Sequence, residues 1–528
     1  MRYLVAIALG AGLCGSLGAQ EHAHAAAGGE RLGTVHFATS CSPEVAERFN
    51  RAVALLHSFE FGAAIRGFSD VATADSTCAM AYWGIALSTW SNPMAAGNRS
   101  LPQVRSGQEA VTVARRLASR ASARERGYVD AVAQLYDSAT VVGQGARMRA
   151  YATAMERLAE AQPADTEARI FYAIALTAAA PPTDKTYANQ LKAGQMLECI
   201  WAVQPDHPGL AHYIIHSYDV PALADHARAA ARRYAEIAPS AAHAQHMPSH
   251  IFTRVGLWDA SIVANQRSVE IARRDASPAE ELHASDYMMY AYLQLGRDSA
   301  AAALLETIPS IVQRFNPSVI TGAAPGSAGV FALAAMPARF ALERGAWSEA
   351  ARLVATPSAF PYAEAMSHFA RALGAARLGR AADARASADT LAAIRARLGA
   401  AGEPYWAEQV AIEQLGAAAW AAFAQRDTSA ALATMREATR REDATEKSPV
   451  TPGPLAPARE LLGDMLMQVG RPREALAEYT LALQREPNRY RALQGAVRAA
   501  TAAGDTSSAQ RLRTELAALR RTADAPSR

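Results

Sequence analysis

The chain has 528 residues, half of them apolar, and a formal net charge of +3. That length accommodates several ordinary domains or one long solenoid. The near balance of charge excludes an electrostatic case for nucleic acid or an anionic membrane surface, and glycine and proline are too few to suggest disorder.

Residues 1–19 read as an export signal. Arg2 supplies the positive start, Tyr3 to Leu17 an apolar core too short to span and stay, and Ala19 or Ala25 the small residue before cleavage. Leu13 stands where lipid attachment at Cys14 would want a small residue. No later stretch is long and apolar enough to span a membrane, so an exported, periplasmic or extracellular protein is expected. Residues 20–43 are expected to be a flexible segment. Cleavage after Ala19 would expose Gln20-Glu21-His22, a set of Cu(II) or Ni(II) donors that cyclisation of Gln20 would abolish. Of the cysteines that remain, Cys41 and Cys78 flank one helical hairpin and are the expected disulfide of an oxidising compartment. In the chain-entropy account such a loop contributes about 3–4 kcal/mol. Cys199, in the apolar run of Met196, Leu197 and Ile200, is expected as a buried core thiol.

From Glu44 onward the apolar spacing is helical almost throughout, and alternating strand patterns are scarce. Helices alternate with short Gly, Pro or Asp breaks, the rhythm of a helical-hairpin repeat. Ala64 with Phe68, Gly84, Gly296, Gly345 with Ala350, and Gly379 with Ala384 mark crossings and turns along residues 44–447. Ser448 to Pro457 holds four prolines and is expected to be a rigid, extended link. Residues 458–520 carry the clearest units. Gly463 and Ala475 are small where two helices would cross, Tyr479 would fill the wedge between hairpins, and Pro487 ends the second helix. In spacing, Leu462, Gly463, Ala475, Tyr479, Ala482 and Pro487 resemble the tetratricopeptide repeat. That resemblance implies an all-α, right-handed solenoid of roughly ten to twelve hairpins, closed by a C-terminal cap.

Seven of the thirteen histidines fall between residues 207 and 258. His212 with His216, and His246 with His250, are each four apart and so share one face of a helix. The second pair follows the first by 34 residues, which is the repeat period. Both pairs therefore take the same places on successive first helices. In tetratricopeptide proteins, the resemblance implies, those places line the concave groove where ligands bind. Phased on Gly296, the next unit adds His283, Asp286 and Tyr290, and His243 precedes the second pair. Pro248, inside the second pair, is expected to kink the helix or delay its start.

Imidazole suits Zn, Cu, Fe and Ni, and an i,i+4 histidine pair on a helix is a metal clamp. Neither pair has a glutamate after its first histidine, so the general base of the zinc-protease motif is missing. The expectation is one Zn, Cu or Fe ion held by His212, His216, His246 and His250. His243, His283, Asp286 and Tyr290 would form the rim of the groove, with Asp219, Asp286 and Glu281 as supporting carboxylates. His57, His226 and His368 read as structural, and Arg254, Arg232, Arg233, Arg273 and Arg274 as solvated helix faces. No nucleophile elbow, phosphate loop, dinucleotide fingerprint or Cys-x-x-Cys occurs. The stretches 207–216 and 246–252 resemble exported bacterial members of the repeat family, a likeness that brings no assigned reaction. The expected function is an exported scaffold that takes a protein or peptide in its groove. The alternatives are a metal-dependent enzyme at the same histidines and a metal-free interaction module.

Overall fold

The computed structural model describes residues 29–137, 139 and 142–524, so the export signal and the Gln20–His22 donor set lie outside the described residues. Among the described residues all regular structure is helical, and consecutive helices pack on one another from Ala46 to Leu519. The small residues stand where the helices meet. A Cβ on Gly84 would come within 2.5 Å of the Phe68 ring, and one on Gly463 within 2.8 Å of the Tyr479 ring. Only glycine lets Phe61–Ala74 meet Ala79–Trp90, and Ala458–Gln468 meet Pro472–Arg485, at that spacing. Gly296, at φ 67°, closes a helix in the left-handed region, as the repeat requires. The chain is therefore an all-α, tetratricopeptide-like helical-hairpin solenoid.

Two apolar cores organise it. One runs from Leu32 to Ile251 and takes in Ala323, the other runs from Ala279 to Leu512, and smaller clusters about Met289 and Trp258 lie beside them. The solenoid curls until its end meets its middle: Trp258 Nε1 donates to the Asn488 carbonyl (3.0 Å), and the Asp524 amide to that of Gly296 (3.0 Å). The Pro-rich link is not a simple connector between units but crosses the interior. Arg339, fully buried, donates to the carbonyls of Gly453 (3.0 Å) and Pro454 (3.1 Å), and Tyr287 Oη donates to that of Pro449 (3.0 Å). Proline-rich backbone cannot satisfy itself in a helix, and here buried side chains supply the donors instead.

Two expectations near the edges are corrected. Residues 30–43 are not free: Leu32, Val35 and Phe37 are buried, with the Phe37 ring 5.1–5.5 Å from Phe49, Trp83 and Tyr128. The Thr34 amide donates to the Asp206 carbonyl (3.0 Å), the Phe37 amide to Asn50 Oδ1 (2.9 Å), and the Cys41 disulfide closes the end, so burial does not hold the segment alone. Cys199 is exposed, because its helix turns Leu197 and Ile200 inward and leaves Cys199 on the outer face. Cys41 and Cys78 form the expected disulfide, with Cα atoms 4.8 Å apart.

Candidate metal centre

Three successive first helices build the site: Pro208–Tyr218, the broken pair Ala242–His246 and Pro248–Arg254, and Pro278–Gln294. Proline opens the first and third, where its missing N–H costs nothing. Pro248 breaks the second. It has no N–H for a helical bond, and His250 N instead reaches Met247 O at 3.1 Å, a tighter turn. The break leaves the pair intact, with the His246 and His250 ring centroids 4.9 Å apart.

The six histidines of this region are buried, at 6% exposure or less. Where the sequence predicts an open groove, the structure has a buried chamber of imidazoles, with the link packed beside it: Tyr287, next to His250, donates to the Pro449 carbonyl (3.0 Å) and lies 3.3 Å from that of Thr451. The four histidines expected around one ion fall into two trios. His212, His216 and His243 form one, and His246, His250 and His283 the other, each offering nitrogens within 4.8 Å of one another. His243 and His283, expected at the rim, are thus full members.

Asp286 and Tyr290 do not line the chamber. Asp286 pairs with Arg339 (3.1 Å), and Tyr290 Oη with Glu486 and Arg489 (2.9 Å each). The phase counted back from Gly296 is displaced because Pro278–Gln294 is 17 residues long, whereas Pro208–Tyr218 has 11. The chamber-facing places lie one turn further from its end. His283 and Tyr287, four apart, take them: the His283 ring lies 4.5 Å from that of His246, tilted by 54°, and the Tyr287 ring 5.0 Å from that of His250. That spacing was available in the sequence. Glu281, fully buried, pairs instead with Arg314 (2.8 Å) and Arg273 (3.5 Å).

Hydrogen bonds fix which nitrogens carry protons. His250 Nδ1 lies 2.9 Å from an Asp219 carboxylate oxygen, which can only accept. His246 Nδ1 lies 2.6 Å from Asn265 Oδ1, and Asn265 Nδ2 is committed to the Ser261 carbonyl at 2.8 Å. Both Nδ1 atoms therefore donate, and both Nε2 atoms present lone pairs. Those lone pairs face each other at 3.0 Å. Asn265 and Tyr287 were not singled out by the sequence; Asn265 carries no pattern that could have found it.

Asp219 supports His250 as expected and also accepts from Arg254 Nε at 2.8 Å. Arg254 is buried rather than solvated, because the Asp219 carboxylate and carbonyl both hold it. Against burial, Lys447 and Arg254 hold the Asp219 carboxyl well below its usual range. Lys447, one of three lysines in the chain, sits 3.8 Å from Asp219 and is pulled down to about 8 by burial and then by Arg254. Burial pulls His216 and His283 to about 3, and His212, His243 and His246 well below 6.5, with neighbouring histidines adding to it. Neutral imidazole is the favoured form, which is the metal-binding form. A cleft of about 570 Å³ reaches His216 and Asp219 from between Asn98, Arg149, Tyr405 and Lys447.

His57, expected as structural, joins a separate buried cluster. Its Nε2 lies 2.9 Å from one Glu167 oxygen, and His207 Nε2 3.0 Å from the other.

No protein-family model matches the chain, and no curated protein matches it. Among solved structures, a human IFIT1 dimer with m7Gppp-AAAA is similar at 11% identity over 91% of this chain and 96% of that one, with a TM-score of 0.41. A human IFIT1 dimer with PPP-AAAA gives 12% identity over 91% and 95%, with a TM-score of 0.40. The TPR domain of P58(IPK) gives 10% identity over 88% and 99%, with a TM-score of 0.24.

Proposed function

We propose that the chain is an exported tetratricopeptide-type binding protein whose interior holds a transition-metal ion at His246, His250 and His283. One observation carries this reading. The Nε2 atoms of His246 and His250 stand 3.0 Å apart with both protons committed elsewhere. Two buried lone pairs at that distance repel unless a cation lies between them. A proton is a poor candidate, since burial draws all three imidazoles toward the neutral form. Two nitrogens so placed suit one ion at about 2.0–2.1 Å from each. An all-imidazole set favours Zn, Cu or Fe over Mg or Ca. Asn265 and Asp219 hold the rings in the required tautomer.

Three protein ligands leave a coordination position open, and the neighbouring cleft is large enough for a small molecule or a peptide side chain. Metal-dependent catalysis at that position is the second reading. The disulfide at Cys41–Cys78 and the signal-like N-terminus support export. The test is metal analysis of the purified, signal-free protein together with its melting in added Zn(II) or Cu(II). A bound ion, lost in a His246→Ala, His283→Ala variant, is the expected result. No bound ion and unchanged melting would overturn the reading.

A further inference from the structure

We infer that the chamber is a paired-metal centre, with a second ion bound by His212, His216 and His243 and a small anion bridging the two ions. This inference rests on the reading just given. His212 Nδ1 lies 2.6 Å from the His57 carbonyl oxygen, which only accepts, so His212 Nε2 carries the lone pair. That lone pair faces His243 Nε2 at 3.1 Å.

A metal-free account can place one proton there, with His243 donating to His212. It then leaves His243 Nδ1 and both nitrogens of His216 buried with no protein partner. His216 is 4% exposed and lies at the inner end of the cleft. An ion takes one nitrogen from each ring, and His216, buried with neither nitrogen paired, is the ring left free to give one.

One ion cannot serve both trios. The donor nitrogens gather as two separate trios, each within 4.8 Å of one another. One ion bonding nitrogen at about 2.0–2.1 Å in a tetrahedral site takes four donors, not six. The two trios nevertheless face each other as neighbours. All six ligands are imidazoles, which bring no negative charge, and the nearest carboxylate, Asp219, is engaged by His250 and Arg254. Two cations without a carboxylate ligand require an added negative charge between them. Hydroxide, azide or another small anion entering past His216 would occupy the open position of each ion.

The experiment loads metal-free, signal-free protein with Co(II), removes excess, and counts ions per chain. Two are expected in the parent protein. One is expected in a His212→Ala, His243→Ala variant, one in a His246→Ala, His283→Ala variant, and none in the combined variant. Azide should change the Co(II) absorption of the parent in a way that neither double variant reproduces. Far-UV circular dichroism checks folding, and His216→Gln serves where a double variant fails to fold, again with one ion expected. A single ion in the parent, retained in the His212/His243 variant, would overturn the second site and leave the first standing. Two ions in the parent and still two in that variant would also overturn it. No ion in the parent would overturn both readings.

Discussion

Two buried histidine clusters share His57, and they are satisfied in opposite ways. On one side, His57 and His207 each face an oxygen of Glu167, at 2.9 and 3.0 Å. On the other, the His57 carbonyl accepts from His212, the first residue of a chamber in which imidazoles face imidazoles. Against burial, His207 and His57 hold the Glu167 carboxyl far below its usual range, so the first cluster carries its own negative charge. The chamber has none within the trios. A buried histidine is therefore not informative by itself. What faces its lone pair decides whether it is structure or a site.

Breaking the compensated cluster should have the largest effect. Glu167→Ala leaves two buried imidazoles without their carboxylate and should cost about 3–5 kcal/mol in denaturant unfolding, with metal content unchanged in the folded fraction. Replacing Cys41 and Cys78 by serine in the same half should cost about 3–4 kcal/mol and likewise leave metal content unchanged. The chamber should behave conversely. Zn(II) at a hundred times its Kd for the site at His246, His250 and His283 should raise unfolding free energy by about 2.7 kcal/mol, an increment that a chelator reverses and that His246→Ala, His283→Ala removes.

The smallest effect sharpens the contrast with a carboxylate that has no histidine partner. Glu280 is fully buried, accepts from the Ala324 amide at 2.5 Å, and is raised by burial from 4.5 to about 7. A raised folded-state value means that its contribution is complete below about pH 4.5 and is lost as pH rises through 7. Glu280→Gln should flatten that decline and stabilise the protein at pH 8 by on the order of 1 kcal/mol. Unfolding free energies measured from pH 5 to 8 check it.

The solenoid was legible because the repeat leaves a local mark: Gly463 and Tyr479 must be small and large for their helices to cross. The two histidine pairs were legible for the same reason, as i,i+4 spacing repeated at one period. Their division into trios was not. It depends on the length of Pro278–Gln294, which moves His283 and Tyr287 inward and Asp286 and Tyr290 aside. It depends also on a break at Pro248 that keeps His246 beside His250 while bringing His243 to His212. The packing of the link was illegible because its contacts are with carbonyls, which no side-chain pattern records.

A cation between His246 and His250 is what would set the chamber apart from the Glu167 cluster. Crystals of metal-loaded protein, measured on both sides of the metal absorption edge, test it directly. An anomalous peak is expected within bonding distance of both Nε2 atoms and of His283. Clear density for the three rings with no peak among them would contradict it.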